Sequence, residues 1–332
     1  MAMTIYDLAR AAGVSIATVS KALSDTYAVA DDTKRRIRAL AESMDYRPNA
    51  RARSFARRAN GTILFMTDLR RNVAFENPHM FEIITGAANY LARKGYTLAL
   101  GGIAEQDAPA AIHEMILREQ ADGVILHAGI LTKRLAALLS KAELPCLVAG
   151  KPGFPADVCW IDVNHELSGQ LAVSHLLDRG YTRIAFLMGL EGEDNISESR
   201  LIGAQHALRE EELQIEILHG QSTYAAGIAH TDALLARPDP PQAILCTNNY
   251  LALGCLQRIR QQHLRIPEDI ALMTFDNYPL SMIVSPSITA VGLDMYEMGW
   301  EAARLMLRKI RQPSLRTQSY CTVPALLVRE ST

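Results

Sequence analysis

The sequence predicts an α/β protein of two doubly wound parallel-sheet subdomains, preceded by a separate basic head of three short helices. Three observations point there. Positive charge gathers at one end: residues 4–60 hold 11 Lys/Arg against 6 Asp/Glu, whereas the remainder holds 23 against 30. From Thr62 onward, short apolar runs alternate with longer amphipathic ones, which is the rhythm of βαβ units. A length of 332 residues, 49% of them hydrophobic, supports two or three compact units with real cores.

In the head, Thr4 and Asp7 suit a capping box opening a first helix that buries Ile5, Leu8, Ala9 and Ala12. Gly13 breaks it, and Ser15 can cap a second helix running from Ile16 to about Ser24. There Val19, Ala22 and Leu23 face inward, while Ala17 and Lys21, four apart, share the opposite face. A third helix starts near Asp31 and Asp32, whose carboxylates suit its N-terminal dipole, and buries Ile37, Leu40, Ala41 and Met44. Two short helices joined by a glycine-containing turn and braced by a third form a helix-turn-helix layout. So basic an end is expected to meet a polyanion.

Pro48 stops the chain running on from the third helix, and Asn49 can cap a fresh helix over 50–59. Its Ala52, Phe55, Ala56 and Ala59 form an apolar stripe flanked by Arg51, Arg53, Arg57 and Arg58. A helix this short is marginal alone, and its arginines repel one another. It is expected to form when a polyanion neutralises it and a second copy packs on the stripe. Lying in a minor groove, it would push Phe55 between base steps. A flexible linker is the competing reading.

The residues here resemble the lactose/purine-repressor (LacI/GalR) family of bacterial transcription regulators. The resemblance rests on Thr4-Ile-Tyr-Asp-Leu-Ala-Arg-Ala-Ala-Gly-Val-Ser-Ile-Ala-Thr-Val-Ser-Lys-Ala-Leu23, on Tyr46-Arg-Pro-Asn49 and on Ala52-Arg-Ser-Phe55. It extends to Val323-Pro-Ala-Leu-Leu-Val-Arg-Glu-Ser331 at the other end. It implies a head over 1–46, a hinge helix over 47–60 and a periplasmic-binding-protein-like core over 61–332. The core divides into subdomain N (61–161 and 292–323) and subdomain C (162–291 and 324–332). The implied DNA-binding residues are Thr4, Ser15, Ile16, Ala17, Thr18, Ser20, Lys21, Tyr46, Asn49, Arg51, Ala52, Arg53 and Phe55. Ile16, Ala17 and Lys21 fall on base-reading positions: the first two suit thymine methyls, and Lys21 can donate to guanine O6 and N7. Phe55 stands where the family usually has leucine, and Ala30 where a hydroxyl residue often caps the third helix, a change that moves the expected cap to Asp31.

In the remainder the pattern predicts strands over 62–66, 97–100, 123–126, 146–149, 183–188, 215–218, 243–246, 271–275 and 288–291. Helices are predicted over 78–93, 108–119, 166–177, 198–211, 225–235 and 250–261. Lys94-Gly-Tyr-Thr97 and Arg179-Gly-Tyr-Thr182 each follow a helix and open a strand, hinting that the two halves share a plan. Between two such subdomains lies a cleft at strand C-termini, where α/β sheets bind ligands. His79, Arg200, Asn248, Asn249 and Asp276 follow predicted strands and offer directed hydrogen bonds to a small hydroxyl-rich molecule. The resemblance supports Ser199-Arg-Leu-Ile-Gly203, Thr247-Asn-Asn-Tyr-Leu-Ala-Leu-Gly254 and Phe275-Asp-Asn-Tyr278 as effector segments, and adds Met80 beside His79. Asn249 stands where the family usually has aspartate. Phe75, Phe81, Trp160 and Tyr224 could stack on a sugar or base, or lie in the core.

Other classes fit less well. No glycine-rich dinucleotide motif, phosphate loop, nucleophile elbow or His-Glu-x-x-His is present, so no cofactor, metal or catalytic residue is expected. The five cysteines read as reduced core thiols, and no apolar run reaches membrane-spanning length. The start lacks a secretory signal, which makes the cytoplasm the expected address. The expected function is a ligand-responsive repressor that binds a near-palindromic operator as a homodimer, the tail lacking a tetramer-forming heptad run. Its effector would be a sugar or sugar derivative, with a nucleoside or purine as the second choice. An α/β enzyme or a solute-binding protein acting on a sugar-like molecule is the alternative. Lys21→Ala is expected to weaken operator binding by about 1–3 kcal/mol and to blur one base position, measured by selection on a randomised operator.

Overall fold

The computed structural model describes residues 5–23, 29–44, 60–69, 79–102, 110, 114, 121–141, 144–192, 195–209, 213–312 and 319–332. The Thr4 cap, the helix over 50–59 and nearly all of the helix expected over 108–119 lie outside them. The chain divides into two compact units, residues 1–62 with 120–122 and residues 63–119 with 123–332.

In the first unit, α1 (Ile5–Ala12), α2 (Ile16–Leu23) and α3 (Asp31–Ser43) enclose Leu8, Val19, Ala22 and Ile37, all fully buried. Gly13 adopts φ 63°, and the N–H groups of Gly13 and Val14 close on the carbonyls of Arg10 and Ala9, ending α1 sharply. Ser15 Oγ accepts from the Thr18 N–H at 3.1 Å and starts α2 as expected. Arg36 donates to the Ala12 carbonyl at 3.0 Å, satisfying an otherwise orphaned group at the end of α1. At α3 the cap position is Ala30, with no side-chain bond, and not Asp31. Asp31 and Asp32 instead lie 3.4 and 3.0 Å from Lys34 and Arg35.

The second unit begins with β1 (Thr62–Thr67), α4 (His79–Arg93), β2 (Thr97–Gly102), β3 (Gly123–His127), α5 (Lys133–Leu139), β4 (Cys146–Ala149) and β5 (Trp160–Val163). The chain then crosses to a second sheet through α6 (His165–Asp178), β6 (Ile184–Met188), α7 (Asn195–Arg209), β7 (Glu216–His219) and α8 (Tyr224–Leu235). That sheet continues with β8 (Ala243–Cys246), α9 (Asn249–Gln261), β9 (Ala271–Phe275), α10 (Pro279–Ile283) and β10 (Thr289–Gly292). It returns through α11 (Met295–Arg311) to β11 (Tyr320–Thr322), then crosses again to β12 (Ala325–Leu327). The sheets run β11-β5-β4-β3-β1-β2 and β12-β10-β9-β8-β6-β7. Leaving aside the added edge strands, the order is the same in both. β12 is antiparallel to β10, whereas β11 is parallel to β5.

Each expected strand is present, with ends shifted by two residues at most. β5, β11 and β12 escaped the pattern: β11 and β12 have only three residues each, and Asp162 interrupts the apolar run of β5. In α11, Gly299 weakens an otherwise helical run. Strands β6, β8 and β9 are buried along their whole length, as parallel strands covered on both faces must be. One face of the first sheet packs Phe65, Ile125 and Leu147 on α4 and α11; in the second, Phe186, Leu245 and Phe275 pack on α6 and α7. Cys246 and Cys255 are core thiols, but Cys321 is exposed.

The two Gly-Tyr-Thr segments form the same helix ending. Gly95 and Gly180 take φ 77° and 86°, and Tyr96 and Tyr181 donate back five residues. They are not topologically equivalent, however: one leads into edge strand β2 and the other into interior strand β6. The shared plan is the strand order, and the segments are a common way to stop a helix.

Three helix pairs cross through reciprocal glycines. Gly86 and Gly299 bring α4 against α11, Gly169 and Gly203 bring α6 against α7, and Gly227 and Gly254 bring α8 against α9. At each, a methyl group would overlap a backbone carbonyl of the partner helix. The second pair sets the first turns of α6 beside Arg200 of α7. Gly203→Ala is expected to cost about 1–3 kcal/mol by forcing these helices apart, seen as a lowered melting temperature.

Candidate functional site

In the head, burial of Val19 and Ala22 turns the opposite face of α2 outward. Ile16 is 38% exposed, Ala17 and Lys21 are exposed, and Thr18 is half-buried with its hydroxyl 2.8 Å from Ser15 Oγ. An apolar pair thus lies on the same exposed face as one cation. Thr4, Tyr46, Asn49, Arg51, Ala52, Arg53, Phe55 and the Ser20 side chain lie outside the described residues.

In the second unit, four of the expected ligand residues meet. His79 opens α4 after β1, Arg200 sits in the second turn of α7, Asn249 opens α9, and Asp276 directly follows β9. Asp276 has φ 72°, an uncommon conformation for a side chain of its kind, held by its N–H donating to the Val291 carbonyl at 3.0 Å. Its Oδ1 accepts from Arg200 Nη2 at 3.2 Å, and its Oδ2 lies 3.2 Å from His79 Nε2. Asn249 Nδ2 donates to its backbone carbonyl at 2.7 Å. Arg200 also donates to the Thr247 carbonyl at 2.8 Å, with its guanidinium 4.3 Å from the Phe275 ring centre. The His79 ring lies 4.5 Å from that of Tyr278.

Arg200 is 4% and Asp276 7% exposed. Burial pushes the Asp276 carboxyl up, but the charges of His79 and Arg200 outweigh it and hold the group at about 2. The Tyr278 hydroxyl moves the other way, raised by burial and by the Asp276 charge.

The other two expected residues are not part of this cluster. Met80 is 5% exposed and packs in the core beneath α4, because the helix turns it toward the sheet when His79 faces the cleft. Asn248 spends its Oδ1 on the Leu251 N–H at 2.9 Å as the cap of α9. Of the aromatics, Phe81 is largely exposed and Trp160 packs against the core under α5.

Asp162 at a strand end was missed from sequence, and His165, which with Glu166 reads as a helix cap or an acid–base pair, lies beside it, the cap itself being Asn164. Asp162 accepts from the Lys151 and Val163 N–H groups at 2.7 and 2.8 Å and lies 3.3 Å from His165 Nε2. Burial raises its carboxyl, but His165 and those N–H groups leave it below its ordinary range. His165 is near enough to lower Asp276 as well. Nine buried side-chain polar atoms lack a hydrogen-bond partner among the described residues, and all but His230 Nε2 belong to this region. They are Thr67 Oγ1, His165 Nδ1, His165 Nε2 (whose nearest polar neighbour is the Asp162 carboxylate at 3.3 Å), Arg200 Nε and Thr247 Oγ1, followed by Asn249 Oδ1, Tyr278 Oη and Thr322 Oγ1. They lie at strand C-termini, where buried polar atoms without a protein partner are uncommon. The usable signal was position alone: a polar residue directly after an apolar run. A cavity of about 480 Å³ opens between His79, Glu82, Tyr278, Asp294 and Tyr296; of the residues with orphaned atoms, Tyr278 lines it.

Asp276 titrates lower folded than unfolded, so its stabilising contribution is present above 3.8 and fades as pH falls toward about 2. Asp276→Asn is expected to cost about 3–5 kcal/mol at neutral pH by stranding the Arg200 charge. The difference from wild type should shrink through that acid range, checked by melting curves against pH.

Residues 4–49 match the bacterial regulatory proteins, lacI family, and residues 173–332 the periplasmic binding protein-like domain. The HTH-type transcriptional repressor PurR of Vibrio vulnificus (strain CMCP6) is 31% identical over 335 residues, covering 99% of this chain and 98% of that protein. Among solved structures, a transcriptional regulator CelR–cellobiose complex has a TM-score of 0.71 at 26% identity, covering 99% of this chain and 100% of its own. The Lac repressor bound to ONPG has a TM-score of 0.73 at 23% identity with both chains fully covered, a likeness of fold. With a helix-turn-helix head, paired parallel sheets and an end-to-end relative at this identity, the chain belongs to the LacI family of bacterial regulatory proteins.

Proposed function

We propose that the chain is a transcriptional repressor that grips a near-palindromic operator as a dimer and is switched by a small polar metabolite, a sugar or sugar derivative. The observation that carries the switch is the His79–Asp276–Arg200 chain. His79 belongs to a helix of the first sheet, and Asp276 and Arg200 to the second, so one buried carboxylate joins the two subdomains. A ligand that inserts among these groups changes the free energy of one subdomain arrangement relative to another. In this reading residues 1–46 form the head and 47–60 a hinge, and subdomain placement sets the spacing of two hinges. Coupling of about 1–3 kcal/mol would shift operator affinity about five- to a hundredfold.

The head supports the DNA reading through the exposed Ile16, Ala17 and Lys21 on α2. Arg200 and Asp276 neutralise one another, and a carboxyl held at about 2 is a poor proton donor, which favours ligand clamping over catalysis. Among the described residues no helix is long and apolar enough to cross a membrane. We take the cytoplasm as the site of action.

Fluorescence anisotropy on duplexes selected from a random pool tests this. The dimer should select a near-palindrome, with affinity falling log-linearly with salt at a slope of about −0.9 per neutralised phosphate. One sugar-class compound should shift that affinity. Equal affinity for selected and random duplexes would overturn the reading.

A further inference from the structure

We infer that Asp122 is a positioning residue for operator recognition: its carboxylate grips the backbone where the proposed hinge ends and fixes the point from which that segment departs. The inference rests on the DNA-binding reading above and on a contact that neither the head helices nor the cleft accounts for. Asp122 Oδ1 accepts from the Asn60 N–H and Oδ2 from the Gly61 N–H, each at 2.6 Å. The Asp122 N–H donates in turn to the Thr62 carbonyl at 2.8 Å. One residue thus holds residues 60, 61 and 62 through their backbones, whatever side chains they carry.

Two successive N–H groups point at one carboxylate where the backbone forms a concave nest, which calls for a left-handed residue. Gly61 supplies it with φ 66°, a conformation that costs glycine little. Hydrogen bonds from backbone N–H groups to a carboxylate are shorter and stronger than those between neutral groups. Because both N–H groups are taken, a hinge helix could not draw on them, and its hydrogen bonding must stop before Asn60.

The place of this grip gives it a role. Asp122 directly precedes Gly123, the first residue of β3, and Gly123 pairs with Ile63 of β1. The grip therefore lies where two neighbouring parallel strands begin. The opposite end of β1 leads to the cleft: Thr67 closes the strand with an orphaned hydroxyl, and His79 opens the next helix. A shift of the first sheet carries the gripped residues with it. Were the grip lost, each freed residue would add backbone freedom that operator binding must remove again.

Fluorescence anisotropy of the full chain, on the operator selected by wild type and on random duplex, tests this. Asp122→Ala should weaken operator binding at least about tenfold and leave affinity for random duplex within about twofold. Removing an anion near DNA would by itself tighten both, so the sign separates positioning from charge. Gly61→Ala, strained at φ 66°, should weaken operator binding in the same selective way. The double variant should lose no more than the larger single loss, because both changes break one grip. Asp122→Asn keeps one acceptor oxygen without the charge; it should fall between wild type and Asp122→Ala, and serves if the alanine variant does not fold. Operator binding unchanged or tightened by these variants, equal losses on both duplexes, or additive losses in the double variant overturn the role of Asp122 and leave the repressor reading standing. A wild-type chain that prefers no duplex overturns both.

Discussion

Two charges almost wholly removed from water, the Arg200 guanidinium and the Asp276 carboxylate, lie 3.2 Å apart where β9 ends. Either alone would carry a desolvation cost of several kcal/mol, so the surroundings must satisfy both at once. The surroundings do so from several elements. The Thr247 carbonyl and the Phe275 ring receive the guanidinium, and His79 and the Asn249 amide complete Asp276. The unusual backbone of Asp276 follows from the same demand, because it turns the carboxylate toward Arg200 while keeping its N–H on β10. Reciprocal glycines in α6 and α7 then let the helix carrying Arg200 lie directly against the one that begins with His165.

On the proposed reading, that arrangement lets a binding site also act as a switch. Two sheets of the same strand order are joined by three crossings of the chain, at 163–165, 292–295 and 322–325. Short crossings constrain the subdomains without locking them, and interactions across the cleft select among the orientations that remain. His79 brings the first sheet to the carboxylate of the second, and Asp162 and His165 add a second acid–imidazole pair at the first crossing. The orphaned atoms cluster where the subdomains meet, so a guest that satisfies them also bridges the two. Affinity and conformational bias therefore come from the same bonds.

Membership of the LacI family and the physical reading of the site support each other through different evidence. The likeness runs the length of the chain, and residues 4–49 match the lacI family itself. The polar residues of the cleft are this chain's own, among them Asn249, whose Oδ1 has no partner among the described residues. Fold is shared across relatives at 20–30% identity because buried apolar periodicity tolerates exchange of one hydrophobic residue for another. A polar guest site tolerates less, since each unsatisfied donor costs free energy of its own.

The sequence by itself determined the three head helices and nine strands of the core. Their signals are local: Leu8, Val19 and Ile37 recur at helical spacing, and runs such as Ala271–Phe275 are apolar without interruption. It also placed His79, Arg200, Asn249 and Asp276 near strand ends, where a doubly wound sheet binds its ligand. Only the tertiary structure brought those four together, set Asp162 and His165 beside them, and sent Met80 into the core and Asn248 to a helix cap. It alone revealed β5, β11 and β12, whose three or four residues become strands because a neighbour offers a pairing edge. The reason is one of range. Periodicity reports whether a segment is buried, whereas the partner of a polar end group depends on strand order and on contacts a hundred residues apart.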